Sequence, residues 1–177
     1  MTLSKNNIII TEPTLEDVLG LVFVHKKTWL DTYPNKKYKI FKKDILLKDF
    51  DSEKKINKWK RRIKNNGKKK EYICVAKDRE KVVGFCSISK GEKINELKTI
   101  YVLPEYQRMK IGNKLFNKAI NWLGDKKNIK TLVAIYNENA IKFYKKHGFA
   151  KTTVTKSYKF PNGKIMPEMQ LVFSRNK

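Results

Sequence analysis

The sequence predicts a mixed α/β domain, on three observations. Short strand-like runs alternate with stretches of helical periodicity along the 177 residues. The first half holds two strand-like runs close enough to pair as an antiparallel hairpin, and the second half reads strand, loop, helix, strand, helix, in the manner of βαβ units. No internal repeat and no Pro-, Gly- or Ser-rich linker divides the chain, so residues 1–177 are expected to share one core.

Taken in order, Asn7 to Thr11 is an apolar run suited to a strand. Pro13-Thr14-Leu15-Glu16-Asp17 then offers helix-start chemistry ahead of Val18, Leu19, Val22 and Phe23. Ile56, Trp59 and Ile63 recur at spacings of three and four, which places them on one face of a helix whose other face is lysine. Asn65-Asn66-Gly67 marks a surface turn. Glu71 to Lys77 and Lys81 to Ser89 are strand-like and joined by Asp78-Arg79-Glu80, short enough for a hairpin. Ile94 to Leu103 forms a further strand, stopped by Pro104. Leu115, Phe116, Ala119, Ile120 and Leu123 follow at helical spacing and end near Gly124. Thr131 to Tyr136 is a short buried strand, Asn139 to Lys146 a helix closed by His147-Gly148, and Ala150 to Lys159 and Lys164 to Phe173 two strands around Pro161-Asn162-Gly163.

Composition narrows the function classes. With 40% hydrophobic residues the chain can bury a sizeable core despite 33% charged residues. Met1 to Thr11 lacks a basic stretch followed by a long apolar run, and no segment nears the roughly 18 apolar residues of a membrane span, so a cytoplasmic protein without membrane partners is expected. Cys74 and Cys86 are expected to be reduced and packed, and with His25 and His147 they lack any metal-ligand spacing, so no metal is expected. The formal net charge of +24 invites a nucleic-acid partner. Against that, the surplus is nearly all lysine, whereas arginine is the better reader of phosphates and guanine, and Asn, Ile and Lys are abundant together as an AT-rich coding sequence would make them. Nucleic acid is therefore not the expected partner.

The chemistry lies in two segments. Ile100-Tyr101-Val102-Leu103-Pro104 delivers a strand to the basic loop Glu105-Tyr106-Gln107-Arg108-Met109-Lys110, and a helix follows through Ile111-Gly112-Asn113-Lys114-Leu115. A helix N-terminus preceded by basic residues is an anion site, because its first N–H groups are unsatisfied and its dipole is positive there. Gly112 allows close backbone approach, with positive φ if the loop requires it. After the next strand comes Asn137-Glu138-Asn139-Ala140-Ile141-Lys142-Phe143-Tyr144-Lys145-Lys146-His147-Gly148-Phe149.

Together these segments resemble the GNAT superfamily of N-acetyltransferases. Its Gln/Arg-x-x-Gly-x-Gly/Ala motif is similar to Gln107, Lys110 and Gly112, and its Asn-x-x-Ala-x-x-Phe-Tyr-x-x-x-Gly-Phe motif to Asn137, Ala140, Phe143, Tyr144, Gly148 and Phe149. One departure stands out: Lys110 replaces the first motif glycine, and if φ is positive there a lysine costs about 1 kcal/mol or more unless its charge compensates at a CoA phosphate.

The resemblance implies a mostly antiparallel central sheet splayed between its fourth and fifth strands, with helices on both faces. It implies acetyl-CoA as cosubstrate and an amine as acceptor. Backbone groups of Ile100, Tyr101 and Val102 would bind the pantetheine and polarise the thioester, N–H groups from Arg108 through Met109, Lys110, Ile111, Gly112 and Asn113 to Lys114 the pyrophosphate, and Asn137 the pantetheine arm. Tyr144 would protonate the departing thiolate, and Glu96 would serve as base. Lys27-Thr28-Trp29-Leu30-Asp31-Thr32-Tyr33-Pro34 resembles the first-helix region of members acting on small amines such as polyamines, which makes Trp29, Asp31 and Tyr33 acceptor-side candidates, with Glu105 and Glu168 as further carboxylates for a cationic amine. A protein N-terminal or lysine acetyltransferase and a non-catalytic basic binding module are the competing readings. Oligomeric state, homodimer included, stays open.

Overall fold

The computed structural model describes residues 8–124 and 126–175; Asn7, placed above in the first strand, lies outside them. Seven strands form one sheet: β1 (Ile8–Thr11), β2 (Glu71–Asp78), β3 (Lys81–Ser89), β4 (Asn95–Val102), β5 (Ile129–Ala134), β6 (Phe149–Lys159) and β7 (Ile165–Phe173), in the order β1-β2-β3-β4-β5-β7-β6. Every neighbouring pair is antiparallel except β4 and β5. Among the described residues five α-helices accompany it: α1 (Val18–Thr32), α2 (Lys42–Leu46), α3 (Glu53–Lys64), α4 (Ile111–Leu123) and α5 (Glu138–Lys146).

Side-chain alternation assigns the helices to faces. Cys74 and Cys86 are buried opposite each other on β2 and β3, and the Cys74 thiol lies 3.5 Å from the Leu115 carbonyl, so their face carries α4. Phe116 of α4 packs on Phe143, which puts α5 there too. Phe85, one residue before Cys86, points the other way and meets Trp59 of α3 and His25 of α1 edge-on. The sheet is thus covered on both faces, as the resemblance implied.

Local chemistry explains most boundaries. The β2–β3 turn closes over Arg79 and Glu80, with Arg79 at φ +53 as a two-residue hairpin requires. Ser52 caps α3, its hydroxyl accepting from the Lys55 N–H at 3.3 Å, and Trp59 and Ile63 are buried as their spacing predicts. The Asn66 side chain clasps Ile73 through both of its backbone polar groups, at 2.7 and 2.9 Å, so the predicted turn also aligns β2. Gly148 ends α5 at φ +83, and a Cβ there would press on the Phe173 ring at 3.2 Å.

The helix of the second half starts at Ile111, directly after the basic loop as expected, with Lys110 at its N-cap position. One expectation changes. In α1 the buried residues are Val18, Leu21, Val22, Val24, Thr28 and Trp29, whereas Leu19 and Phe23 are 67% and 52% exposed. The helix α2 carries no sequence signal, since five residues cannot display a period.

Candidate acetyl-transfer site

The site starts where the sheet stops being a sheet. β4 and β5 share two registered pairs, Asn95 with Ile129 and Glu96 with Lys130, and no more. Lys98 is an extra residue in β4, for Ser87 pairs with Thr99 while Ile88 pairs with Leu97. Such a bulge bends and twists its strand, and here β4 turns away from β5 beyond it. The edge of β4 facing β5 from Thr99 to Val102 is left without a ladder, with backbone donors and acceptors exposed to the gap.

A cleft of about 900 Å³ occupies that gap. Ile100, Tyr101 and Val102 form one wall, and Val133 with Asn137, Ala140, Phe143 and Tyr144 the other. Gln107, Arg108, Lys110, Ile111, Gly112 and Asn113 close one end, while Thr28, Asp31, Thr32, Tyr33 and Tyr136 lie towards the opposite end.

The basic loop is fixed by three contacts. The Tyr106 hydroxyl donates to Asp78 at 2.9 Å, the Gln107 amide donates to the Val102 carbonyl at 3.1 Å, and Leu103 is fully buried. Arg108 and Lys110 both sit in the left-handed region, at φ +64 and +60, so the position that departs from the motif glycine does require the conformation glycine favours. Gly112 does not; its hydrogen points at Phe143, where a Cβ would lie 3.4 Å from the ring. The first helical N–H with a backbone partner is that of Lys114, donating to the Lys110 carbonyl at 3.2 Å. The N–H groups of Ile111, Gly112 and Asn113 have no backbone partner among the described residues and stand at the cleft beside two cationic side chains, which fits a pyrophosphate.

Asn137 caps α5 through its side-chain oxygen, which accepts from the Ala140 N–H at 3.2 Å, leaving its amide N–H₂ as the remaining donor. Tyr144 is 5% exposed between Phe143 and Phe149, and burial drives its phenol well above the ordinary value, so it carries its proton at any working pH.

Six sequence candidates fall outside the lining: Glu96, Trp29, Met109, Lys114 and the two acceptor-side carboxylates Glu105 and Glu168. Glu96 lies in the paired stretch of β4, six residues or about 20 Å of strand from Val102, on the far side of the bulge. Trp29 is buried behind the cleft, its indole donating to the Tyr101 hydroxyl at 2.8 Å. Met109 packs into the core between the two left-handed residues, and Lys114 is already inside the helix with its N–H bonded.

Sequence reasoning named Trp29 and Tyr33 for the acceptor end but missed the aromatic assembly that they form with Tyr101, Tyr136 and His25. Tyr33 and Tyr101 bring their hydroxyls within 3.2 Å, Tyr136 donates to the Tyr33 carbonyl at 2.9 Å, and His25 stacks on Tyr101. The tip of the β6–β7 hairpin joins this end to α2, because Lys164 binds the Asp44 carboxylate and the Lys39 carbonyl at 2.7 Å each and Asn162 binds Asp44 at 2.7 Å. Only the aromatic residues clustered between 29 and 38 hinted at it.

Residues 35–149, well over half of the chain, match the profile of the Acetyltransferase (GNAT) family. The chain belongs to the GNAT acetyltransferases. Its fold is shared with the PaiA N-acetyltransferase of Thermoplasma acidophilum, crystallised with coenzyme A, at 23% identity and a TM-score of 0.69, covering 92% of this chain and 97% of that one. It is also shared with yncA of Salmonella typhimurium, crystallised with its cofactor acetyl-CoA, at 15% identity and TM-score 0.71, covering 97% and 96%. The ribosomal-protein-S18-alanine N-acetyltransferase of Escherichia coli is similar at 18% identity and TM-score 0.63, covering 94% and 92%. As a GNAT member the protein is an acetyl-CoA-dependent N-acetyltransferase, which decides for catalysis over a bare binding module. Among the described residues no three His, Cys, Asp or Glu are grouped to hold a metal, and no helix is long and apolar enough to cross a membrane.

Proposed function

We propose that this GNAT enzyme moves the acetyl group of acetyl-CoA to a primary amine of a small, cationic molecule of the polyamine kind. The observation that carries the acceptor class is the packing of α1, α2 and the β6–β7 hairpin in one cluster against Tyr33 and Tyr136, which line the cleft's acceptor end, and this favours a slender aliphatic amine over a folded polypeptide.

Each residue has one task in this reading. N–H groups of Ile111 to Asn113, with Arg108 and Lys110, hold the pyrophosphate. The open edge of β4 takes the pantetheine as a strand would be taken, and a β4 N–H polarises the thioester carbonyl, an oxyanion role that needs a fixed donor and no special side chain. Asn137 orients the pantetheine arm through its amide. The neutral amine attacks the carbonyl carbon, the carbon–sulfur bond breaks, and Tyr144 gives its proton to the thiolate. With Glu96 away from the cleft, the proton lost by the amine passes to solvent at the mouth.

The test is an acceptor screen with acetyl-CoA, reading free thiol release across polyamines, amino acids, aminoglycosides and peptides with free N-termini. Polyamines turned over at least as well as any other class is the expected result. Preferential turnover of peptides would move the enzyme to the protein-acetylating branch.

A further inference from the structure

Among the described residues, a carboxylate without a salt bridge stands beside the tyrosines of the acceptor end, itself outside the cleft's lining. Glu168 on β7 lies opposite Ala134, the last residue of β5, and alternation puts its side chain on the face of Ala134 and Met166. Both of those residues are buried in the cluster under α1 and α2 that includes Trp29 and Phe50, against which Tyr33, Tyr101, Tyr136 and Tyr158 pack. Tyr33 and Tyr136 line the cleft. Beyond the burial that mainly raises these four phenols, the charge of Glu168 raises each of them further, so all four lie within its reach.

Asp31 is bound to Lys27 at 3.0 Å and Glu105 to Lys81 at 4.0 Å, whereas Glu168 has no salt bridge among the described residues, although Lys156 sits across from it in register. Burial alone pushes its carboxyl above the usual range. A half-buried, uncompensated carboxylate costs stability, and a cationic ligand would remove that cost.

The reacting nitrogen is not the cation it serves. That nitrogen must be neutral to attack the thioester, and a carboxylate gripping it would hold the proton on. A second, non-reacting ammonium has no such conflict, and tyrosine faces suit both its charge and the methylenes leading to it. We propose that Glu168 binds a second ammonium of the acceptor, so that the enzyme selects diamines and polyamines over monoamines. This rests on the acetyl-transfer reading above.

The test compares 1,5-diaminopentane and spermidine with n-pentylamine as acceptors, with acetyl-CoA binding measured separately by calorimetry. For wild type we expect kcat/KM about tenfold or more higher for the diamine, and for Glu168→Gln a KM for the diamine raised about tenfold with kcat, n-pentylamine kinetics and acetyl-CoA affinity nearly unchanged. Glu168→Asp, which keeps the charge, should fall between them, and it replaces the Gln variant should that one fail to fold. An unchanged diamine KM, an equal loss with n-pentylamine, or refusal of diamines by a wild-type enzyme that acetylates other amines overturns the proposal alone. Absence of acetyl-CoA binding overturns the transfer reading and this proposal with it.

Discussion

Tyr144 and Lys110 show how far one residue's surroundings set its role. Burial holds the Tyr144 phenol protonated, which suits a donor and excludes a base. Tyr144→Phe should therefore lower the single-turnover rate by roughly 10²-fold with acetyl-CoA affinity little changed. Wild-type rates from a correctly folded variant would reduce Tyr144 to a packing residue. Lys110 holds φ +60 at a position where the family motif has glycine, and the strain is tolerable if its ammonium is used. Lys110→Gly should raise thermal stability by up to about 1 kcal/mol, the left-handed cost less the added freedom of the unfolded chain. The same change should weaken CoA binding and flatten its salt dependence, as titrations at two ionic strengths would register.

At the scale of elements, the two-residue neck between β4 and β5 and the bulge at Lys98 place the cleft, and neither is written in residue type: a bulge is a mismatch between two strands, visible only when both are paired. What the sequence carries is what local chemistry dictates, namely the strands from their apolar runs, the anion-binding helix start from Arg108 to Gly112, and the α5 motif with Asn137 as its cap. Glu96 was misplaced because a strand position gives no distance from the mouth, and Trp29 because an aromatic residue on α1 can face the cleft or back it. The tie from α2 to the β6–β7 tip is likewise a long-range fact. Lys164, then the Phe41 N–H, hold the Asp44 carboxyl below its ordinary range, so the stability it adds is complete above that range and is lost as pH falls through the depressed folded value. Asp44→Asn should lower the melting temperature near neutral pH and raise KM for the acceptor while acetyl-CoA affinity holds.

For the molecule as a whole, His25 adds to the acid response of the depressed carboxyls such as Asp44. Desolvation, then the charges of Lys48, Arg62 and Lys55, press its pKa down to about 3 inside a ring of aromatic side chains. The unfolded chain takes up a proton on this residue below about pH 6.5 and the native state does not. Stability is therefore full above that pH and falls at about 1.4 kcal/mol per pH unit as pH drops towards 3. Urea unfolding between about pH 6 and pH 4 should show a flatter decline for His25→Phe than for wild type. The neck between β4 and β5 has a consequence for time as well as for shape. β1 to β4 and β5 to β7 are two ladders that share two rungs, and the amides of β4 that look into the gap trade their hydrogens with water directly. When a pantetheine arm lies along that edge, those few amides should fall silent in hydrogen exchange while their neighbours bonded to β3 keep their pace, so the cosubstrate would appear for as long as it stays as the missing strand.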